Sequence, residues 1–476
     1  MSAPELQGTS LLRYLWRQLT SMRNALILLL LLGLASIPGS IYPQRTQSPL
    51  KVREYFETNP EFAKWLDRFY LFDVYGSPWF SAIYILLFIS LIGCVFPRTF
   101  HYAKESLRKP GPAPLSLKQL DNYQVVTGSL DSAEVWLKKN RFRISRTKDS
   151  ISAEKGYLRE TGNLLFHLSL VVLLLGIGSS SVFGMRGEAI VTVGERFINV
   201  PTSYDNLAPG RFFNLEKMPA FTITAANFDA KYDAQTRQPL DYTLTTKVTD
   251  SPGAESVEKI VKVNQPLTFG DTRVYLQANG FSPLVTVKDK SGKVKFEGPV
   301  PFLPQDANLT SIGAIKVPDA DPQIGFVGSF LPTAARDEVR GGYSSFPELL
   351  DPRLLISVWQ GDLKMDSGVP QSVYRIDTSE MERIGLKALT IGESYDYGVG
   401  TITFNGVIPW VNLQVVKDPG KQAALFGSIF AIIGLLASLF IRQRRIYVRS
   451  VGKQIEIAGL GNRPGVADEI KRMVAK

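Results

Sequence analysis

Four apolar runs, none containing a charged residue, decide most of what this chain can be. They cover residues 24–42, 79–97, 164–183 and 423–441. An α-helix rises about 1.5 Å per residue and the hydrocarbon layer of a bilayer is about 30 Å thick, so ~20 such residues are what a crossing requires. A single run of this kind could be a helix in a soluble core. Four in one chain read as transmembrane helices. The mean hydropathy of the whole chain is close to zero, because long polar segments separate the apolar blocks.

The first run follows Arg13, Arg17 and Arg23, and LASIPGS offers small residues where a signal peptide would be cut. A cleaved leader is therefore the competing reading. The basic region ahead of it is long, however, and cleavage would leave the second span without a partner. The run is read as a retained span.

Orientation follows from Lys and Arg in the flanking segments. Residues 98–160 hold 13 basic against 7 acidic side chains, residues 442–476 hold 9 against 3, and the first 24 residues hold 3 against 1. Four spans put all three basic segments on one side. The expected order is a cytoplasmic N-terminus (1–23), span 24–42, outer loop 43–78, span 79–97, and cytoplasmic loop 98–160. A third span with its approach (161–183), an outer domain (184–422), a fourth span (423–441) and a cytoplasmic tail (442–476) follow. The protein is thus expected in the cell membrane, multi-pass, with both termini cytoplasmic. The net charge of +10 is then topological. Nucleic-acid binding would need stacking aromatics or a recognition helix among those charges, and none is present.

Residues 184–422 read as strands throughout. Polar and apolar residues alternate in AIVTV (189–193), FTITA (221–225), DYTLTTKV (241–248), LISVWQ (355–360), VYRID (373–377) and GTITFNG (400–406), the period of a half-buried strand. Gly270-Asp271 is placed to form a tight hairpin turn. The expected fold is an extracytoplasmic all-β domain, a sandwich or open barrel. Spans at both its ends should keep it close to the membrane. In the cytoplasmic loop, the connector KPGPAPLSL (109–117) precedes a small α+β unit, with residues 133–139 helical and FRIS (142–145) and SISAE (150–154) extended.

No catalytic signature is present: no GxSxG, HExxH, phosphate loop or dinucleotide fingerprint. Asp362 and Asp366 form one of several acid pairs that read as solvated surface. Cys94 is the sole cysteine and His101 and His167 are the sole histidines, so the chain can build neither a disulfide nor a cysteine zinc site by itself. His167, in FHLSLVVLLLG, is three residues into its apolar run and so about 4–5 Å inside the edge of the membrane. An ionisable residue at that depth faces protein, a cavity or a ligand. A neutral imidazole can hydrogen-bond between helices or ligate haem iron axially. Cys94, in IGCVFPR, reads as a small buried apolar residue, and His101 as an interfacial surface histidine.

Three spans, a long outer β-domain, one more span and a basic tail resemble the ResB (CcsB) family of system II cytochrome c biogenesis proteins. The resemblance covers nearly the whole chain. It is carried by SLIGCVFPR (90–98), GYLRETGNLLFHLSL (156–170), KIVKVNQPLTFGDTRVYLQANGFSP (259–283) and ITFNGVIPWVNLQVVKDPG (402–420). What the resemblance implies is a non-catalytic or co-catalytic subunit of a cytochrome c synthase complex. Its partner would be a CcsA (ResC) protein with a tryptophan-rich WWD motif. Haem, of the b type and transiently bound, would be moved to the outer face and attached to an apocytochrome c. The six tryptophans of this chain are never adjacent, which agrees with the WWD motif lying in that partner. The family's transmembrane histidine matches His167, a candidate haem axial ligand, and its cysteine near the end of span two matches Cys94, to which no role is assigned. The rival readings are a membrane-anchored scaffold whose β-domain binds an extracellular protein without a cofactor, and a transporter. The scarcity of polar groups in the spans argues against the transporter.

Overall fold

A computed structural model describes residues 8–45, 47–120, 122–337, 341–365, 372–461 and 465–474. The chain divides into two compact units, residues 1–179 with 420–476, and residues 180–419.

The first unit contains α1 (Gly8–Leu19), α2 (Met22–Ile41), α3 (Pro49–Thr58), α4 (Pro60–Arg68), α5 (Pro78–Leu107), α6 (Leu130–Lys139), α7 (beginning at Leu158 and ending at Phe183), α8 (Lys421–Phe440) and α9 (Gly465–Val474). Helices α2, α5, α7 and α8 are long and apolar enough to cross a bilayer, and the chain is a membrane protein. Pro38 lies inside α2, which runs on to Ile41 and closes with the Tyr42 amide donating to the Pro38 carbonyl. Helices α3 and α4 each carry proline in the first turn, where a missing N–H costs nothing. They cover a small core of Val52, Ala63, Leu66 and Phe72. Buried Gln44 ties that cap together: its amide donates to the carbonyls of Tyr42 and Leu71, both at 3.0 Å, and its oxygen accepts the Val74 amide at 3.0 Å.

Helices α7 and α8 touch backbone to backbone. A Cβ on Gly434 would stand 2.5 Å from the Phe166 nitrogen, one on Gly427 2.9 Å from the Leu173 nitrogen, and one on Gly176 2.7 Å from the Ala424 nitrogen. The small residues recur every seventh position, Gly162, Ser169 and Gly176 against Gly434, Gly427 and the N-cap Gly420. A seven-residue repeat keeps one seam of each helix on the other. Small side chains there let backbones approach where lipid supplies no hydrophobic drive.

Beyond the spans lies a five-stranded antiparallel sheet in the order Gln124–Thr127, Gln454–Gly461, Arg444–Val451, Ser150–Lys155, Arg143–Arg146. Its core joins Leu137, Phe142 and Ile151 to Ile446, Val448, Ile457 and Ile470. The loop ahead of α7 is therefore not a self-contained unit, as its sequence suggested. The tail after α8 supplies two of its three inner strands. Strands cannot pair across hydrocarbon, so the two segments share one side of the membrane. Glu154, buried in the third span's leading strand, accepts from Gln443 at 2.6 Å, Arg143 at 3.2 Å and Arg445 at 3.4 Å. Burial pushes its carboxyl up, but the hydrogen bonds from Gln443 and Arg143 and the Arg445 charge outweigh that and hold it below the usual range.

Among its described residues the second unit is built mainly of strands and turns, with short 3-10 turns at Pro201–Ser203 and Leu215–Lys217. Two strands of 18 residues, Thr272–Asp289 and Gly400–Lys417, pair antiparallel along their whole length. One end of this ribbon, with Val274, Leu276, Val411, Leu413 and Val415, enters a core completed by Phe197, Phe221, Ile223 and Leu244. The other end, with Val285, Val287, Ile402 and Phe404, enters a second core built on Ile315, Phe326, Phe330 and Ile356. The buried positions change parity along each strand, because Gln277 and Asn405 are each skipped in the pairing. A bulge absorbs one residue and keeps the same face inward. Where the ribbon passes from one core to the other, the Trp410 indole packs on Gly280 and donates to the carbonyls of Phe302 at 3.0 Å and Phe281 at 3.2 Å. The hairpin at Gly270-Asp271 forms as the sequence suggested: Phe269 pairs with Thr272, and Gly270 takes φ +62°.

Two outcomes follow from these contacts. Gly434→Leu should cost about 1–3 kcal/mol by overpacking and visibly lower the melting temperature of the purified protein, whereas Gly33→Leu, where a Cβ meets nothing within 4 Å, should not. Because the Glu154 carboxyl is depressed in the fold, its contribution is complete above the ordinary glutamate value of about 4.3 and fades as pH falls through the lower folded value. Glu154→Gln should therefore flatten the acid limb of a melting-temperature-against-pH curve.

Candidate functional site

His167 is on α7. At 100° per residue it points about 140° away from Gly162, which faces α8, and shares a face with Leu174. At the Leu174 turn of that face, the Tyr84 hydroxyl of α5 donates to the Leu174 carbonyl at 2.5 Å. Seven residues from this bond towards the loop-and-tail sheet lie His167 on α7 and Leu91 on α5, each about 10 Å along its helix. The imidazole is half-buried, its Nδ1 is enclosed by protein, and its ring meets the edge of Phe166 at 5.1 Å between centroids.

The neighbouring turn of α5 is held from its other side. The hydroxyl of buried Ser90 donates to the Leu19 carbonyl at 2.5 Å, and Gly93 takes the Thr20 side chain and the Trp16 ring against its bare Cα. The short corner between α1 and α2 thus grips α5 at the level of His167. Cys94, a half-buried free thiol, is one residue on from Gly93 and 60° around α5 from Leu91.

The other residues singled out in the sequence do not join this region. His101 is within α5, but its side chain lies outside the described residues, as does Asp366. Asp362 caps its own turn by accepting the Lys364 amide at 2.7 Å. Among the described residues no three His, Cys, Asp or Glu side chains are grouped to hold a metal ion. What this arrangement offers chemically is one imidazole within a long apolar helix. It can present a nitrogen lone pair to iron.

A second feature was missed in the sequence. At the bulge of the β ribbon a cleft of about 600 Å³ is walled by Phe228, Tyr242, Tyr275 and Trp410, with Asn279 at its edge. Asn279 donates to the Tyr232 hydroxyl at 3.4 Å, and burial pushes the Tyr232 phenol upward. The signal was present as QANG (277–280), a break in alternation inside a long strand, which marks a bulge.

Comparison with known proteins bears on these features together. Residues 22–470 match the profile of the ResB-like family. The chain belongs to that family. Among curated relatives it is similar to the cytochrome c biogenesis protein CcsB of Nostoc sp. (strain PCC 7120), at 27% identity over 98% of this chain and 92% of that protein. It is similar also to CcsB of Synechococcus sp. (strain WH7803), at 26% identity over 96% of both chains. Of the four strings that carry the ResB resemblance, one ends the apolar part of α5 with Cys94 and one opens α7 with His167. The other two contain most of the β ribbon and Trp410.

If Tyr84 sets the α5–α7 contact at this site, Tyr84→Phe should destabilise the protein by about 1 kcal/mol, the usual net worth of one hydrogen bond. The measurement is denaturant or thermal unfolding in detergent.

Proposed function

We propose that this chain is the ResB-type subunit of a system II cytochrome c synthase complex. In that role it works with a CcsA (ResC)-type protein bearing a WWD motif to bring haem to the outer face, and it presents apocytochrome c for covalent attachment. Its basic segments, both termini among them, lie in the cytoplasm, and its β-domain lies outside the cell membrane. Haem is cargo here rather than a resident cofactor. The observation that carries the reading is His167, an imidazole within an apolar span and two turns from the Tyr84–Leu174 bond to α5, in a chain of the ResB-like family. His167 would hold haem iron from one side while α5, with the α1–α2 corner behind it, forms the adjoining wall. The aromatic cleft at the ribbon bulge is the part of the β-domain best suited to take an extended polypeptide carrying apolar side chains. Covalent attachment itself falls to the complex.

The test is co-expression of this chain with a WWD-type partner and a reporter cytochrome c. His167→Ala should abolish or strongly reduce both the haem absorbance that co-purifies with the complex and the yield of holocytochrome, with the melting temperature unchanged. Full assembly in that variant would sink the role given to His167. Normal cytochrome c in a strain lacking the whole chain would favour the scaffold reading instead.

A further inference from the structure

Most arginines of the loop-and-tail sheet already have partners. Arg444 meets Glu469 at 2.5 Å, and Arg146 meets Asp131 and Glu134 at 2.6 and 2.5 Å. Arg449 donates to the carbonyls of Pro114 and of Leu115, the latter at 2.5 Å. Arg159 and Arg442 are different. Both are exposed, and among the described residues neither guanidinium has a hydrogen bond or an ion pair.

These two come from segments far apart in sequence and meet at one place. Arg159 is in the first turn of α7 and Arg442 lies just past the end of α8. With Arg445 they line a pocket of about 360 Å³ whose remaining wall includes Leu439, Ile441 and Leu460. The site is fixed rather than assembled by loose chains. Gly156, at φ +82°, lies so close to Arg442 that a Cβ would run into its carbonyl, and would stand 3.1 Å from the Gln443 Cα. The carboxylate nearest in the network, Glu154, is shared among Gln443, Arg143 and Arg445, so the cluster keeps an excess of positive charge. Beside it, Leu439 and Phe440 are 68% and 77% exposed at the last turn of an apolar span.

We infer that Arg159, Arg442 and Arg445 form a binding site for the phosphate of an anionic phospholipid, whose acyl chains follow Leu439 along the end of α8. A guanidinium fork matches phosphate geometry. Basic pockets between span ends are where anionic headgroups bind. The apolar wall selects a lipid over a free anion, because a free anion gains nothing from Leu439 and Ile441.

The full-length protein in phosphatidylcholine nanodiscs or detergent would be titrated with phosphatidylglycerol, with bound lipid counted by native mass spectrometry and the melting temperature recorded. Retention and a thermal shift are expected for the wild type, both weakening as salt rises. The pair Arg159→Gln/Arg442→Gln should lower retention roughly thirtyfold, whereas Lys139→Gln/Lys453→Gln, an equal loss of charge elsewhere, should leave it unchanged. Four results would overturn the proposal. One is equal loss in both pairs, and another is a shift in the wild type that ignores salt. A third is inorganic phosphate reproducing the shift, which would make this a free-anion site. The last is arginine-dependent capture of haem in place of phosphatidylglycerol, which would reassign the cluster to propionate recognition.

Discussion

Two stretches of chain, residues 150–192 and 410–449, are antiparallel partners three times over. Arg444–Val451 pairs with Ser150–Lys155 in one sheet. Helices α7 and α8 then meet through Gly162, Ser169 and Gly176 against Gly434, Gly427 and Gly420. Strand Met185–Thr192 next pairs with Gly400–Lys417, Met185 opposite Lys417. The helical contact is the one with least tolerance. Ladders accept many side chains, but a backbone-to-backbone helix seam accepts only glycine, alanine or serine. It also fixes the rotation of α7, and that rotation turns His167 about 140° away from the α8 seam. The orientation of the candidate site is thus a by-product of where the glycines are.

The β-domain solves a different problem with a similar economy. Two cores must be built from strands of ordinary length, and a single pair of 18-residue strands serves both. An uninterrupted two-residue alternation over that length would have to follow the twist of the ribbon without adjustment. One bulge in each strand provides the adjustment, at Gln277 and at Asn405. The aromatic cleft lies beside the Gln277 bulge, lined by Gln277, Ala278 and Asn279 themselves. The irregularity that allows two cores therefore also opens the surface that could receive a partner.

The parts legible in the sequence are those set by short-range physics. Apolar length gave the four long helices, alternation gave strands such as Thr222–Tyr232 and Arg353–Gln360, and a glycine at the required φ gave the hairpin at Gly270. What escaped was set by pairing at a distance. The strand pattern RRIYVRSV (444–451) could be seen in the tail, but basic residues at its edges made it read as a charged tail. Nothing local says that its neighbour is Ser150–Lys155, some 290 positions earlier. The seven-residue glycine spacing in α7 and α8 was readable and went unread, because each span alone looks uniformly apolar. His167 stood out by chemistry alone, a polar ring in hydrocarbon, yet its bearing towards α5 needed the Tyr84–Leu174 bond.

The distribution of chemistry along the chain argues for a shared task. An imidazole, a thiol and a group of arginines are all in the unit that holds the spans, while the β-domain offers an aromatic cleft. One imidazole can hold haem iron on one face but cannot enclose it, and a stable six-coordinate site needs a ligand opposite. A chain that supplied both ligands would bind its cargo tightly and release it slowly. If the proposed function holds, a chain that supplied one ligand and left the other to a second protein would retain cargo only where that protein is present, and would pass it on when the second ligand changes hands. On that reading a single histidine in the spans would suit transfer better than a pair.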